Sequence, residues 1–552
     1  MVKYSIGLDY GTASARGVLV NVASGKPVAT AVHPYADGVI DHSLPGEEQL
    51  LPADWALQNP ANWLEVLEKI VPALLAESAV LPQDIIGIGI GFTACTILPT
   101  TLDGIPLCAI DKYSHHPHAW PKLWKHHSAQ PQADRLNKLA IEYDEPWLAR
   151  YGGKISSEWF IPKALEILEE DPETFRTAET FVEGGDWVAW QLTGKLARNT
   201  CAAGYKANWH KVSGFPSPEF LGALHTQLRN LYGEKFSGPA LAPGASIGGL
   251  TPEWAVKLGL RPNTPVGAPI IDAHAAVLGG GVSHPGTMFM IMGTSTCHML
   301  MAEEEVLVEG ISGVVEDGIV PGLFGYEAGQ AGVGDIFAWF VENAVSPAYH
   351  IEAKERGISP HTLLAEKASQ QQPGESGLLA LDWWNGNRST LVDANLSGLL
   401  IGQTLATRPE EIYRALIEAT AFGTRMIIEA FTDQKVAVQK IVAGGGLTKN
   451  EFLMQIYADI TGREIAIASE PQASALGAAI LGAVAAGENA GGYESVDVAV
   501  SHMAPAPERI YHPIPKNSLI YDQIYAEYQR LYDYFGRGEN NVMKTLRHLR
   551  EV

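Results

Sequence analysis

Two short turns rich in glycine and hydroxyl side chains each stand between two apolar segments of the sequence. The first contains Gly11 and Thr12 and closely follows Asp9, and the second contains Gly293 and Thr294. Glycine lets a backbone approach a ligand closely, and the N–H and O–H groups of such turns donate to phosphate oxygens. Taken alone, the first turn is typical of an ordinary polar hairpin. Together, the two turns predict a site that holds a triphosphate from both sides of a cleft, with Asp9 holding its metal ion.

A third glycine-rich segment, IVAGGGLTKN, ends an apolar strand at Gly445 and Gly446 and then enters a helix. Because these glycines remove every side chain at the end of the strand, they would leave a flat slot for an adenine ring or a ribose. The alternative is a tight strand-to-helix turn. Thr448 and Glu451 have the spacing of a capping box, so we expect Thr448 to cap the helix.

An acidic residue, Asp272, follows an apolar strand in PIIDAHAAVLGGG and begins a helix rich in small residues. A carboxylate in this position can accept the proton of an attacking hydroxyl group. The alternative is a helix N-cap, and the two roles are compatible.

The elements around these residues occur twice in the same order. In the first half, three short strands precede a helix that begins at Asn59 and Pro60 and an apolar strand, DIIGIGIGF, which is typical of a strand buried on both faces. In the second half, the strands around Gly293 precede a long helix, the glycine-ended strand and further helices. The repetition predicts an internal duplication of two α/β domains.

The composition of the segments suggests where the domains begin and end. We predict an N-terminal domain over residues 1–284, a C-terminal domain over 285–490, and an extension over 491–552 that packs on the C-terminal domain. Residues 100–260, rich in Trp, Pro and Gly, are predicted to be an insertion in the N-terminal domain. The segment 273–284 contains the glycines and the proline expected of a hinge. A Tyr-rich stripe in the terminal helix favours packing over chemistry.

The bulk composition excludes some classes of function. The 552 residues carry a formal net charge of −23 at pH 7, so broad binding to nucleic acid or to anionic membranes is not expected. None of the four cysteines lies in a C-x-x-C pair, which predicts reduced thiols in a cytoplasmic protein. No apolar run is long enough to span a membrane. The histidines between residues 115 and 127 favour a polar loop beside a substrate pocket over a metal site.

This ordered set of motifs resembles the FGGY family of carbohydrate kinases over nearly the whole chain, from Ile6 to about Gly487. The motifs that carry the resemblance are DYGTASARG, IIDAHAAVLGG, MGTSTCHM, IVAGGGLTKN and EPQASALGAA. The resemblance implies an α/β fold of two duplicated actin-like, hexokinase-like (ribonuclease H-like) ATPase domains with a cleft between them. It also implies ATP, Mg²⁺ and phosphoryl transfer to a sugar hydroxyl, with Asp272 as catalytic base. The implied nucleotide contacts are Gly11, Thr12, Gly293, Thr294, Gly445, Gly446 and Asn450, with Asp9 near the metal.

Further stretches, including GFTACTILPTTLDGIPL, AAGYKANW and GYEAGQAGVGD, are most similar to the members of this family that phosphorylate L-ribulose. By position they put Ala94, Lys206 and Glu327 around the sugar with Asp272. Lys206 would offer a cation to sugar oxygens, and Glu327 would accept hydroxyl protons. The alternative for Lys206 is a solvated surface lysine. In LWKHH the sequence departs from the family pattern, which has an acid after the lysine, so no polar role is predicted for His126.

Two other functions stay open at this point. One is another sugar or polyol kinase of the same family, with D-ribulose or xylulose as the nearest substrates. The other is an ATPase without sugar kinase activity, as in actin-fold chaperones and filament proteins. The residues after Gly487 are too few for a peptide-binding domain, which favours a kinase. The oligomeric state, including a homo-oligomer, is left open by the sequence.

Overall fold

The computed structural model describes residues 2–538 and 540–551, so the ends of the predicted domains at residues 1 and 552 lie outside the described ranges. The strands, in chain order, are β1 (Tyr4–Tyr10), β2 (Ser14–Asn21), β3 (Pro27–Pro34), β4 (Ile85–Phe92), β5 (Ile97–Thr100), β6 (Thr180–Glu183), β7 (Arg198–Asn199), β8 (Ala240–Leu241), β9 (Ser246–Gly249), β10 (Pro265–Gly267), β11 (Ile270–Ile271), β12 (Gly286–Met292), β13 (Thr296–Ala302), β14 (Gly313–Glu316), β15 (Phe324–Gln330), β16 (Leu379–Leu381), β17 (Leu399–Ile401), β18 (Val438–Gly444), β19 (Ile465–Ile467) and β20 (Arg509–Tyr511).

The helices cover the sheets and build the segments between them. They are α1 (Pro60–Ser78), α2 (Gln130–Glu142), α3 (Phe160–Glu170), α4 (Pro172–Thr177), α5 (Gly184–Thr193), α6 (Thr200–Ala207), α7 (Pro218–Leu224), α8 (Leu231–Lys235), α9 (Pro252–Leu258), α10 (Asp272–Gly279), α11 (Gly334–Ala344), α12 (Pro347–Glu355), α13 (Pro360–Ala368), α14 (Pro409–Asp433), α15 (Glu451–Thr461), α16 (Ala473–Ala486), α17 (Val496–Met503), α18 (Pro515–Gly536) and α19 (Val542–Glu551).

Two sheets repeat one plan. The first has the order β3-β2-β1-β4-β10-β9, with β11 also pairing β4, and the second has the order β14-β15-β13-β12-β18-β19-β20. In each sheet an antiparallel hairpin, β1–β2 or β12–β13, lies beside a parallel strand, β4 or β18. The two polar turns of the sequence are the tips of these equivalent hairpins. The predicted duplication and α/β fold class are therefore confirmed.

Helix α16 belongs to the second half of the chain but packs on the first sheet. A Cβ atom on Gly7 of β1 would lie 1.9 Å from the carbonyl oxygen of Ala475, and one on Gly89 of β4 would lie 1.8 Å from that of Ala478. Helix α16 also contacts α10, because a Cβ atom on Gly477 would lie 1.9 Å from the carbonyl oxygen of Ala275. The small-residue sequence of α16 is thus explained by backbone contact with both β1–β4 and α10.

We expect the substitution Gly89→Ala to destabilise the protein by about 3 kcal/mol, because the new methyl group would overlap the backbone of α16. Gly233→Ala is the matched control, since a Cβ atom there meets nothing within 4 Å and the residue lies in helix α8. Urea unfolding of both variants and the parent protein measures the difference. Equal midpoints for the two variants would show that β4 and α16 are not in contact.

The stretch predicted as an insertion, residues 100–260, is only partly separate. Trp159 and Phe160 belong to a hydrophobic core of its own. However, Trp187 on α5 packs against Trp63 of α1 at 5.8 Å between ring centroids, and β9 forms an edge of the first sheet. Apolar residues facing a sheet look the same in sequence as those of an independent core, so composition alone did not separate the two.

The predicted hinge, residues 273–284, differs from the expectation. Helix α10 occupies it as far as Gly279, packed tightly against α16, and only residues 280–285 are left between α10 and β12. Small residues in a helix and in a hinge give the same composition, which is why the sequence suggested flexibility.

Of the residues after 490, helix α17 packs on α16 and α10, whereas β20 and α18 extend the second sheet and its helical layer. Strand β20 pairs with β19, and α18 buries the predicted tyrosine stripe, Tyr521, Tyr525, Tyr528 and Tyr532. Among the described helices, none has the length and apolar character needed to cross a membrane. All four cysteines are free thiols.

Candidate active site

Asp9 and Asp272 lie at the same edge of the first sheet. Asp9, near the end of β1, pairs in register with Gly91 of β4, and Ile270 of β11 pairs with Gly91 from the other side. Asp272 follows two residues later as the first residue of α10. A Cβ atom on Gly91 would lie 3.8 Å from the Cα of Asp272. The strand between the two acids therefore presents no side chain that would separate them.

The two carboxyl groups share an electrostatic environment. Desolvation and the neighbouring charge of Asp9 raise the pKa of Asp272 to about 7. Desolvation raises the pKa of Asp9 to about 6, although Arg16, with its Nε 3.7 Å from the Asp9 carboxylate, opposes this shift. Asp272 also accepts a hydrogen bond on Oδ1 from its neighbour Ala273 at 2.7 Å. This leaves its other oxygen for chemistry, and the N-cap position of α10 is Ile271, not Asp272.

The raised pKa values predict proton uptake by the nucleotide-free protein as the pH falls from 8 to 5.5. Because the charge of Asp9 helps to raise the pKa of Asp272, the variant Asp272→Asn should remove the group that titrates near pH 7. A potentiometric difference titration between the parent protein and the variant measures the lost uptake. Identical curves over this pH range would show that Asp272 is ionised with an ordinary pKa.

Lys206 and Glu327 form a buried ion pair. Nζ of Lys206, on α6, donates to Oε2 of Glu327, on β15, at 3.0 Å, and both side chains are about 5% exposed. Burial alone would raise the pKa of Glu327, but Lys206 and Arg388 outweigh it and lower that pKa to about 2. Nη2 of Arg388 donates to the other oxygen at 3.1 Å. Lys206 is therefore not a solvated surface lysine, and the pair joins the two halves of the chain.

The loop that contains Ala94 is held by a buried lysine. Nζ of Lys163, on α3, donates to the backbone carbonyls of Cys95, Lys122 and Leu123 at 2.6, 3.2 and 2.9 Å. All three donors of the ammonium group are thus used by backbone oxygens. Ala94 packs between the core of residues 100–260 and the core around α16, so its backbone has a fixed position beside β4.

Hydrogen bonds inside the two hairpin turns reduce the number of their N–H groups that can contact a phosphate. The N–H of Gly11 donates to the carbonyl of Ser14 at 3.0 Å, and the N–H of Gly293 donates to that of Ser295 at 2.9 Å. These amides close their own turns, contrary to the expectation that every N–H of the turns meets a phosphate. The hydroxyl of Thr12 accepts a hydrogen bond from the indole of Trp124 at 3.0 Å. Thr294 lines a cavity of about 530 Å³.

The glycine-ended strand β18 leads to a second cavity, of about 660 Å³, which Gly446 and Asn450 line. Gly445 has a φ of 99°, and a Cβ atom on it would lie 2.4 Å from the carbonyl oxygen of Met292, so only glycine fits there. The predicted cap Thr448 is wrong: its hydroxyl donates to Gly445 within a short turn, and Asn450 caps α15 by accepting from Leu453. The short helical turn over Gly446–Lys449 precedes α15, so the helix is capped by Asn450, two residues after Thr448.

Sequence reasoning missed several side chains at the site. Tyr35 is 5% exposed, and its hydroxyl has no hydrogen-bond partner among the described atoms. Burial raises the pKa of Tyr35, and the charges of Asp9 and Asp272 raise it further. His274, beside the Lys206–Glu327 pair, has a pKa lowered to about 4 by burial. The signals in the sequence that could have indicated them are the position of Tyr35 directly after an apolar strand and the position of His274 within the Asp272 motif.

The histidine stretch contains a buried polar group. His126 lies within 3.1 Å of Glu166, which also pairs with Lys122 at 3.1 Å, and all three side chains are fully buried. His126 therefore has a polar role that the sequence did not predict. Within residues 2–538 and 540–551, no group of three or more His, Cys, Asp or Glu side chains is arranged to hold a metal ion by itself.

The architecture is that of two-domain sugar kinases. The fold matches that of a xylulose kinase from Rhodospirillum rubrum with a TM-score of 0.77 at 22% identity, covering 96% of this chain and 98% of that one. It matches a gluconate kinase from Lactobacillus acidophilus with a TM-score of 0.79 at 18% identity, covering 98% and 99%. At this identity the likeness establishes the fold alone.

The sequence itself defines the family. Residues 4–279 match the N-terminal domain, and residues 288–486 the C-terminal domain, of the FGGY family of carbohydrate kinases. The chain belongs to this family. It is 55% identical over 552 residues to a protein named ribulokinase from Geobacillus thermodenitrificans, covering all of this chain and 98% of that protein. It is 48% identical to a ribulokinase from Mycolicibacterium smegmatis, covering 99% and 96%.

Proposed function

We propose that the protein transfers the γ-phosphoryl group of ATP to the 5-hydroxyl of L-ribulose, which gives L-ribulose 5-phosphate in L-arabinose catabolism. The observation that carries the proposal is the position of Asp272 beside Asp9, at the C-terminal ends of β1 and β11 in the first sheet and near the Lys206–Glu327 pair. The full-length likeness to proteins named ribulokinase supports the choice of sugar.

In the proposed reaction the 5-hydroxyl oxygen attacks the γ-phosphorus of ATP. The bond to the β–γ bridging oxygen breaks, ADP leaves, and the hydroxyl proton passes to the free oxygen of Asp272. A base whose pKa lies near 7 is partly ionised at neutral pH and accepts a proton readily in its ionised form. Lys206 donates to sugar oxygens and Glu327 accepts sugar hydroxyls, while the fixed loop at Ala94 bounds the pocket.

The site fits a Mg²⁺ ion that arrives with the nucleotide. Asp9 and Asp272 repel each other, and Arg16 is the cation that contacts Asp9. Mg²⁺ is bound in kinases through one or two carboxylates, with phosphates and water completing the shell. Asp9 is the residue that would hold it, and the ion would neutralise charge on the phosphates.

The nucleotide would extend from the hairpin turns toward the second cavity. Gly446 and Asn450 line that cavity, which is large enough for an adenine ring and lacks side chains on the glycine side. Thr12 and Thr294 stand at the phosphate end. Closure of the two lobes, one built around each of the two large sheets, about residues 280–285 would exclude water and align donor and acceptor.

A panel of pentuloses and polyols in a coupled ADP-release assay tests the proposal, with the phosphorylated position identified by NMR of the product. We expect L-ribulose to give the highest kcat/KM and the product to carry phosphate on O5. Higher kcat/KM with D-ribulose or xylulose would assign another substrate within the family. ATP hydrolysis without a sugar phosphate would support an actin-fold ATPase instead.

A further inference from the structure

Arg388 is a cation at the junction of the two lobes. It lies in the segment between β16 and β17, and its guanidinium holds Oε1 of Glu327 while Lys206 holds Oε2. The two cations differ in exposure, because the side chain of Arg388 is 39% exposed and that of Lys206 is 5% exposed. The buried ammonium group of Lys206 therefore pairs with Glu327, whereas the partly exposed guanidinium of Arg388 also has N–H donors that face the cleft.

The exposed part of Arg388 faces the place where phosphate is expected. It lines the 530 Å³ cavity together with Thr294 and Ser295 of the second hairpin turn. A second cation, Lys154, also lines this cavity, and its Nζ donates to the backbone carbonyl of Val392 at 3.1 Å. A polyanion entering this cavity of a chain with net charge −23 meets the cations Arg388 and Lys154, which must offset the carboxylates of Glu158, Asp335 and Asp393 on the same cavity.

The loop that carries Arg388 is held by the C-terminal helices. The hydroxyl of Tyr532, on α18, contacts the hydroxyl of Thr390 at 3.0 Å. Lys544, on α19, lies 2.7 Å from the carboxylate of Asp393. The extension that follows the family's C-terminal domain thus supports the loop on both sides of Arg388 in sequence.

We propose that Arg388 is a catalytic residue that contacts the transferring phosphoryl group, and that α18 and α19 position it. This inference rests on the proposed function. In the transfer described above, negative charge spreads over the equatorial oxygens of the phosphoryl group. A planar guanidinium with paired N–H donors matches two of these oxygens, and it is already anchored through Glu327, so little reorganisation is needed. Arg388 makes and breaks no covalent bond.

Arg388→Met tests the catalytic part of the inference. We expect kcat to fall about 100-fold, with the dissociation constants of ATP and sugar changed less than about threefold. Arg388→Gly should regain activity when guanidinium chloride is added at millimolar concentration, because the free cation can occupy the vacated place. Arg229→Met, which removes an arginine that is 56% exposed and pairs with Glu219, is the matched control and should behave as the parent protein.

Tyr532→Phe tests the positioning part. It should lower kcat several-fold in the parent protein and have no further effect in the Arg388→Met background, because the loop then carries no guanidinium to position. Loss of sugar affinity alone in Arg388→Met, or no rescue by guanidinium, would overturn the catalytic role. Additive effects of the two substitutions would overturn the positioning role. A parent protein that phosphorylates no sugar would instead refute the proposed function itself.

Discussion

Replacing Asp272 with asparagine is expected to lower kcat for sugar phosphorylation by about 10²–10⁴-fold, the usual contribution of a general base. Asparagine keeps the size of the side chain and an oxygen that can accept the hydrogen bond from Ala273. It cannot accept the proton of the sugar hydroxyl. ATP affinity should not weaken, because the substitution removes a negative charge beside Asp9 and the phosphate end of the site.

Pre-steady-state kinetics and calorimetric titration with a non-hydrolysable ATP analogue separate the two effects. Asp497→Asn is the matched control, since Asp497 is also an acid in the first turn of a helix but lies on α17, away from the cleft. Its kcat should equal that of the parent protein. Turnover of Asp272→Asn within tenfold of the parent would mean that another group accepts the proton, and the proposed mechanism would fall.

The residues that the sequence indicated well are those in which local geometry demands a residue type. Gly445 had to be glycine because its φ is 99° and β12 approaches its backbone, and such demands leave a visible motif. The alternation of apolar strands and polar turns fixed the two hairpins in the same way. Asp272 was singled out because an acid at the end of an apolar strand is unusual unless it has a polar task, and its catalytic role stays a prediction.

The residues that the sequence did not indicate depend on contacts distant along the chain. Arg388 meets Glu327 across 61 positions, and Tyr35 has its place because β3 lies near the sheet edge that carries Asp9 and Asp272. The contact of α16 with Gly7 and Gly89 spans most of the chain. In each case the partner is chosen by topology, and no local pattern records it. The same reason explains why α5 and β9 were assigned to an insertion.

Removing the Lys206 ammonium with Lys206→Met is expected to lower kcat/KM for the sugar about 100-fold, equivalent to about 2.7 kcal/mol. The sugar loses a cationic donor, and the buried carboxylate of Glu327 is left with Arg388 alone. The pKa of Glu327 should rise, because Arg388 and His274 alone would then oppose the effect of burial. The KM for ATP should change by less than about threefold, because Lys206 contacts neither hairpin turn.

Two further variants decide whether the pair acts as a unit. Lys211→Met is the matched control, since Lys211 is also paired with acids, Glu316 and Asp317, but is 43% exposed. It should leave both KM values unchanged. Glu327→Gln combined with Lys206→Met should cost less than the sum of the single changes by about 1 kcal/mol or more, because the amide leaves no buried charge unpaired. Strict additivity, or an equal rise in the KM for ATP and sugar, would mean that Lys206 and Glu327 serve the fold and not the sugar.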